Sequence, residues 1–269
     1  MDGGSTCGGL SVTHHGRADT SSPTLVLLHG LTDSGDCWPD AVRRWEADYH
    51  LVTVDARGHG NSPRWSDEEL AHVGETMRDD AIGVLDGLLA QGVSRPVVVG
   101  HSMGGATAWG VAVARPDLIR ALVLEDPAVP SEATRDREAF ARRQEEALQA
   151  ACRADLRLRE QRDGPWTWPE IEAAPWARAK QQVDERMLAT GVVCLETAWP
   201  QVWSAISIPT LVVTGTERVI MDAPRRRAVA DLANPHITVH VVPDAGHCVR
   251  RCNPEGFHEV VDPFLAAVT

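Results

Sequence analysis

A valine-rich run that ends in a serine flanked by glycines constrains this chain more than any other stretch. Valines occupy positions 97–99, the motif Gly100-His101-Ser102-Met103-Gly104 follows, and residues 106–109 predict a helix. A strand that turns this sharply into a helix imposes strained dihedral angles on the serine, so small residues are needed two positions before and after it. We therefore expect the Ser102 hydroxyl to stand clear of a sheet, and the Met103 N–H to point to where an oxyanion would form.

Further apolar runs predict a mostly parallel sheet. The segments 24–28, 51–54, 121–124 and 209–214 are typical of strands buried on both faces, and helical segments alternate with them. The alternation stops between residues 130 and 206, where helical patterns continue without a convincing strand. We predict a doubly wound α/β core from residues 10–129 and 207–269, a helical insertion at 130–206 and a disordered lead-in at 1–9.

Composition limits the possible binding partners and the cellular location of the protein. A net charge of −12 on 269 residues argues against nucleic acid, since phosphate binding needs a basic surface. No apolar run is long enough to cross a bilayer, and residues 1–9 lack the features of a signal peptide. We therefore expect a cytoplasmic protein with no membrane partner. Six scattered cysteines form no disulfide or metal-binding pattern, so we expect no metal and no cofactor, while the oligomeric state stays open.

His247 is the candidate general base for Ser102. A serine is a poor nucleophile at neutral pH unless a base takes its proton and a carboxylate orients that base. Among eleven histidines, His247 lies in a glycine-containing turn just after the last predicted strand, at the same sheet edge as Ser102. His101 should point away from the serine beside it, whereas His29 and His59 should brace their loops.

Four motifs together give the chain a resemblance to the α/β-hydrolase superfamily. They are His29-Gly30, the segment from Asp55 to Ser62 (Asp-Ala-Arg-Gly-His-Gly-Asn-Ser), the Ser102 motif and Asp244-Ala245-Gly246-His247. The resemblance spans nearly the whole chain. It implies an oxyanion hole built from the backbone N–H groups of Leu31 and Met103, and it implies that the insertion is a cap over the active site. A serine nucleophile disfavours the haloalkane-dehalogenase and epoxide-hydrolase branches.

The position of the carboxylate that would orient His247 departs from the commonest pattern of that superfamily. In most members an Asp lies three positions after the glycine that follows the strand ending here at Thr214, but this chain has Arg218 there. Glu217, one position earlier, is an alternative. The other known placement follows the strand ending at Leu124, as in zearalenone lactone hydrolases, and this chain has Asp126 at that place. Asp126 is therefore the first choice for the acid.

Tryptophans in the insertion bear on what the site accepts. Trp166, Trp168 and Trp176 are candidate substrate-binding residues, although tryptophans also fasten short helices onto a sheet. We expect a serine hydrolase that cleaves a carboxylic ester or lactone of an apolar or aromatic small molecule through an acyl-enzyme. Alternatives are a C–C bond hydrolase, a cofactor-free haloperoxidase, a thioesterase and a non-catalytic ligand receptor. Basic and acidic residues balance in the insertion, so nothing in the sequence singles out an anionic substrate.

Overall fold

An eight-stranded sheet forms the centre of the molecule. The computed structural model describes residues 5–17, 22–130, 136–153 and 168–269. The strands are β1 (Ser5–Cys7), β2 (Leu10–Gly16), β3 (Thr24–Leu28), β4 (His50–Val54), β5 (Val97–His101), β6 (Ala121–Glu125), β7 (Thr210–Thr214) and β8 (Ile237–Val241). Their order is β1-β2-β4-β3-β5-β6-β7-β8, and only the pairs that include β2 are antiparallel. The predicted doubly wound, mostly parallel sheet is confirmed.

Helices connect the strands and cover both faces of the sheet. They are α1 (Pro39–Trp45), α2 (Asp67–Leu70), α3 (Val73–Ala90), α4 (Met103–Ala114), α5 (Arg137–Arg153), α6 (Glu170–Ala179), α7 (Glu185–Thr190), α8 (Ala223–Asp231), α9 (Val249–Cys252) and α10 (Pro254–Val268). Between β6 and β7, the described residues form α5, α6, α7 and a short 3₁₀ helix, with no strand. Within the described ranges, no helix has both the length and the apolar character needed to cross a bilayer.

Alternate residues of each central strand enter two different cores. Val26 and Leu28 of β3 pack with residues of α3 and α4 on one face of the sheet. Leu25 and Leu27 pack with residues of α1 and α10 on the other face. Because successive side chains of a strand point to opposite sides, a strand enclosed by helices on both faces must be apolar throughout. This explains the unbroken apolar runs in the sequence.

The N-terminal segment corrects the expectation of a disordered lead-in over residues 1–9. Residues 5–7 form β1, which pairs with β2 and occupies the edge of the sheet. Cys7 is buried, and its thiol donates a hydrogen bond of 3.3 Å to the Val84 carbonyl in α3. Backbone pairing and this docked side chain order a segment whose Gly/Ser-rich composition by itself favours disorder. Residues 1–4 lie outside the described part of the chain.

Candidate active site

The turn after β5 places Ser102 at the carboxyl edge of the sheet. Ser102 has a φ of 51°, which is uncommon for a residue with a side chain. A Cβ atom at Gly100 would lie 2.5 Å from the Gly104 carbonyl oxygen, and one at Gly104 would lie 2.1 Å from the Leu28 carbonyl oxygen. Both positions therefore require glycine, and the sharp strand-to-helix turn expected from the motif is present.

Ser102, His247 and Asp126 form a chain of hydrogen bonds. The Ser102 Oγ lies 3.0 Å from His247 Nε2, and Asp126 Oδ2 lies 2.5 Å from His247 Nδ1. Ser102 follows β5, Asp126 follows β6 and His247 follows β8. The carboxyl ends of these strands lie along one edge of the parallel sheet. A carboxylate at Nδ1 keeps the proton on that nitrogen, so Nε2 can accept the proton of a serine.

The Asp126 carboxylate is fully buried and is held from several sides. Its Oδ1 accepts hydrogen bonds from the Thr214 hydroxyl at 2.7 Å and from the Met221 N–H at 2.9 Å. Its Oδ2 accepts a further hydrogen bond from the Ile220 N–H at 2.8 Å. These donors replace the water that an ionised carboxylate loses on burial, and they fix its orientation toward the imidazole.

The loop after β7 holds the alternative acid away from the imidazole. Glu217 is exposed, and its side chain makes no hydrogen bond within the described residues. Its backbone N–H donates instead to the Ala245 carbonyl at 3.2 Å. The fold therefore brings Asp126, and not Glu217, to His247.

The two residues implied as oxyanion donors lie beside the serine. Leu31 and Met103 both line the cavity that contains Ser102. Neither backbone N–H donates a hydrogen bond to another described residue. Met103 begins α4, where backbone N–H groups lack partners within the helix. Both N–H groups therefore remain available to a developing negative charge.

Two buried histidines brace the loops around these donors. His29 Nδ1 donates to the Gly30 carbonyl at 2.8 Å, and His59 Nε2 accepts the Thr32 N–H at 3.2 Å. Burial lowers the pKa of His29 to about 4 and that of His59 to about 3. Both rings are therefore neutral near pH 7, with one donor and one acceptor nitrogen each.

His101 does not point away from the site as its position next to Ser102 predicted. Its ring centroid lies 4.8 Å from that of His247, and its Nε2 donates to the His247 carbonyl at 3.3 Å. Side chains alternate only along a regular strand, and the turn at Ser102 breaks that alternation. Burial lowers the pKa of His101 well below its ordinary value, so the ring is neutral beside the triad.

A cavity of about 570 Å³ opens onto Ser102 and His247. Residues from the segment between β6 and β7 form much of its wall, among them Phe140 and Leu148 of α5 and Trp176 of α6. Of the three tryptophans proposed as substrate-binding, the described structure thus places Trp176 at the cavity.

The other two tryptophans differ from Trp176. Trp168 does not line the cavity within the described residues, which corrects its assignment to substrate binding. Its ring packs edge-to-face on Trp176 with centroids 5.6 Å apart, and the Arg251 guanidinium carbon lies 4.9 Å from its centroid. Trp168 is 4% exposed and packs directly on Trp176, so it supports that ring. Trp166 lies outside the described residues.

No local pattern in the sequence signals a buried ionic cluster at the cavity wall. The cluster comprises Asp33, Glu172, Lys180 and Arg251, and we call it the Asp33 cluster. Asp33 lies 2.8 Å from Lys180 Nζ and 3.1 Å from Arg251, which lies 2.8 Å from Glu172. Burial by itself would raise the pKa of Asp33, but Arg251 and Lys180 outweigh it and hold that pKa well below its ordinary value. The cluster joins the loop after β3, α6 and α9.

Lys180→Met is expected to destabilise the protein by about 3–5 kcal/mol, because a buried carboxylate loses one of its cations. Lys180 Nζ also donates to the Thr32 carbonyl at 2.8 Å, beside Leu31, so kcat should fall as well. Urea denaturation and ester turnover measure the two effects. The matched control is Arg178→Met, which removes an exposed ion pair of 3.1 Å with Asp36 and should cost less than about 1 kcal/mol. Equal losses in both variants would contradict this role of Lys180.

A second buried group lies behind His247. Ligand atoms of His101, Glu125 and Cys248 lie within 4.8 Å of one another, a spacing that fits a metal ion on distance alone. Arg250 Nη1, however, donates to Glu125 Oε2 at 2.6 Å and to Cys248 Sγ at 3.3 Å. Burial raises the pKa of Cys248 well above its ordinary value, so the thiol keeps its proton. The guanidinium therefore supplies the positive charge at this group.

The α/β sheet and the hydrogen-bonded Ser-His-Asp chain at its carboxyl edge define an α/β-type hydrolase. Residues 25–260 match the model described as the alpha/beta hydrolase family. The match covers most of the chain, and the protein belongs to that family.

Relatives within this family have diverse activities. The chain is 29% identical over 283 residues to the sn-1-specific diacylglycerol lipase ABHD11 of Mus musculus, with 92% of this chain and 82% of the lipase covered. It is 27% identical over 275 residues to the 2-(acetamidomethylene)succinate hydrolase of Mesorhizobium japonicum, with 95% and 92% covered. The crystal structure of an enol-lactonase from Burkholderia xenovorans LB400 superposes with a TM-score of 0.73 at 22% identity, with 98% of this chain and 100% of that chain covered.

Proposed function

We propose that this protein is a serine hydrolase that cleaves the carboxylic ester or lactone bond of a small molecule through an acyl-enzyme. The observation that carries this assignment is the hydrogen-bonded chain from Ser102 through His247 to Asp126, which opens onto a cavity. The similarity to the mouse diacylglycerol lipase supports ester chemistry at this site.

In the first half-reaction, Ser102 Oγ attacks the substrate carbonyl carbon while its proton passes to His247 Nε2. The oxyanion that forms is stabilised by the Leu31 and Met103 N–H groups, and the loss of one such donor costs about 2.7–4 kcal/mol of barrier in other enzymes. Asp126 holds the imidazole in place and stabilises its charged form.

The rest of the cycle uses the same groups. Charged His247 returns its proton to the leaving alkoxide oxygen as the C–O bond breaks, and the acyl group stays on Ser102. A water molecule then gives a proton to His247 and attacks the acyl carbon. The second tetrahedral intermediate then collapses as the bond between the acyl carbon and Ser102 Oγ breaks. His247 returns its proton to that oxygen, which releases the acid and restores the serine hydroxyl.

The segment at residues 130–206 acts as the cap of this site. Its described helices α5 and α6 line the cavity above Ser102, and two members of the Asp33 cluster, Glu172 and Lys180, attach α6 to the core. Phe140, Leu148 and Trp176 give the cap side of the cavity an apolar surface, which suits an apolar or aromatic part of a substrate.

Labelling with a fluorophosphonate tests the nucleophile directly. The probe phosphonylates a serine only when a base activates it, so we expect one adduct per chain, located on Ser102 by peptide mass spectrometry. Ser102→Ala should abolish both the label and the hydrolysis of p-nitrophenyl esters and lactones of graded size. A label on another serine, or ester turnover that survives the probe, would overturn the assignment.

Trp176→Ala is expected to shift the acyl preference toward larger groups. The ratio of kcat/KM for a bulky aromatic ester to kcat/KM for an acetate ester should rise about tenfold. The removed indole lines the cavity, so its loss creates room for a larger acyl group. Trp168→Ala is the comparison variant, because its ring supports Trp176 from behind. It should lower thermal stability with a smaller shift in preference. An equal slowing of every ester by Trp176→Ala would show that this ring only holds the cap in place.

A further inference from the structure

The charges around the cavity are strongly one-sided. Among the residues that the structure describes, four cationic side chains line it, Lys180, Arg218, Arg225 and Arg251, against one carboxylate, that of Asp33. The chain as a whole has a net charge of −12, so the cavity is a basic region in an acidic protein. Such a contrast favours the entry and retention of anions.

Three of these four cations already have carboxylate partners. Lys180 and Arg251 belong to the Asp33 cluster, where Asp33 and Glu172 neutralise them. Arg225 lies 2.8 Å from the Asp222 carboxylate. Their charges are therefore largely committed to holding the protein together.

Arg218 is the exception among them. Within the described part of the chain its side chain makes no hydrogen bond and no ion pair, although it lines the same cavity as Ser102. A guanidinium presents several N–H donors in one plane, in a geometry that matches a carboxylate. Arg218 is exposed, so its unpaired guanidinium at the cavity wall is free to bind an anion.

The backbone around Arg218 is firmly anchored. On one side, the N–H groups of Thr216 and Glu217 donate to the Ala245 carbonyl at 2.9 and 3.2 Å. On the other side, the Ile220 and Met221 N–H groups donate to the Asp126 carboxylate. Between these anchors Arg218 has a φ of 52°, a left-handed conformation that costs a residue with a side chain free energy. The loop that secures the proposed catalytic acid thus also holds a cation at the cavity.

We propose that Arg218 binds a carboxylate on the substrate, so that the substrate is an acidic ester or lactone, such as a half-ester of a dicarboxylic acid; this extends the proposed function and rests on it. The carboxylate lies at the Arg218 wall, and the ester carbonyl lies at Ser102. The apolar cap side chains contact the carbon chain between them. The balanced charge of the insertion did not reveal this preference, because Arg218 lies outside residues 130–206.

Two esters of matched shape test this assignment. Monoethyl succinate differs from ethyl butyrate in having a carboxylate where the other has a methyl group. We expect wild-type kcat/KM to be about tenfold higher for the acidic ester, and Arg218→Gln to remove about tenfold from the ratio of the two values. Arg227→Gln is the matched control, since Arg227 is exposed on α8 and does not line the cavity. It should leave the ratio unchanged.

A binding measurement separates this assignment from the proposed chemistry. Calorimetric titration with glutarate needs no turnover, and we expect Arg218→Gln to weaken glutarate binding about tenfold while Arg227→Gln has no effect. If wild-type protein hydrolyses neither ester, the serine-hydrolase assignment fails and the titration alone decides the role of Arg218. Wild-type turnover of both esters without acidic preference, or unchanged glutarate binding in Arg218→Gln, would overturn the role of Arg218 and leave the hydrolase assignment standing.

Discussion

Replacing Ser102 with alanine is expected to lower kcat for ester hydrolysis by about 10⁶-fold, the loss found when another serine hydrolase loses its nucleophile. The hydroxyl forms the acyl bond in the proposed cycle, and its structural partner is His247 at 3.0 Å. The fold should persist, because the backbone of Ser102 makes the structural contacts. Its N–H donates to the Glu125 carbonyl at 3.0 Å, and its carbonyl accepts the N–H groups of Ala106 and Ala128.

Turnover and circular dichroism, measured on the same preparation, test this expectation. Alanine and serine both carry a Cβ, so the strain of the positive φ is the same in both proteins. Ser204→Ala, which changes an exposed serine, is the matched control and should retain full activity. A folded Ser102→Ala protein with activity close to wild type would remove Ser102 from the mechanism.

Asp126→Asn is expected to lower kcat by about 10⁴-fold, as in serine proteases in which the triad aspartate is made neutral. An asparagine amide can donate a hydrogen bond to His247 Nδ1, and the imidazole proton then sits on Nε2. In that tautomer Nε2 cannot accept the proton of Ser102. The effect therefore falls on kcat, with Ser102 and His247 both still present.

The same substitution should also lower stability, which the sequence did not suggest. Asp126 accepts hydrogen bonds from Thr214, Ile220 and Met221, and an amide NH₂ group would face at least one of these donors. An unpaired buried donor costs about 1–3 kcal/mol. Kinetics must therefore be measured well below the melting temperature of the variant, which differential scanning calorimetry determines.

Glu217→Gln is the control that separates the two candidate acids. Its carboxylate is exposed and makes no hydrogen bond or ion pair with a described residue, so the loss in kcat should be less than about tenfold. A larger loss in Glu217→Gln than in Asp126→Asn would transfer the role of acid to Glu217. Similar modest losses in both variants would mean that either carboxylate can orient His247.

The sequence alone determined the parts of this protein that depend on local backbone constraints. Apolar runs of about five residues, alternating with helical segments, are typical of central strands enclosed by helices, and they predicted the doubly wound sheet. The glycines at positions 100 and 104 allow the close backbone approach that the turn at Ser102 requires. The placement of Asp126 is also nearly local, since β5 and β6 pair in parallel with His101 opposite Glu125. Ser102 and Asp126, which follow these two residues, therefore lie at the same level along the carboxyl edge of the sheet.

Only the tertiary structure decided which side chains meet across long stretches of chain. Asp33 and Lys180 are 147 residues apart, and no spacing rule connects them. Trp168 and Trp176 lie eight residues apart in the insertion, yet its packing places Trp176 at the cavity and Trp168 behind it. Arg218 was visible only as a departure from a common pattern, and its position at the cavity follows from anchors on Asp126 and Ala245. Such contacts depend on how whole helices, strands and loops are positioned in the fold, and local sequence patterns do not predict them.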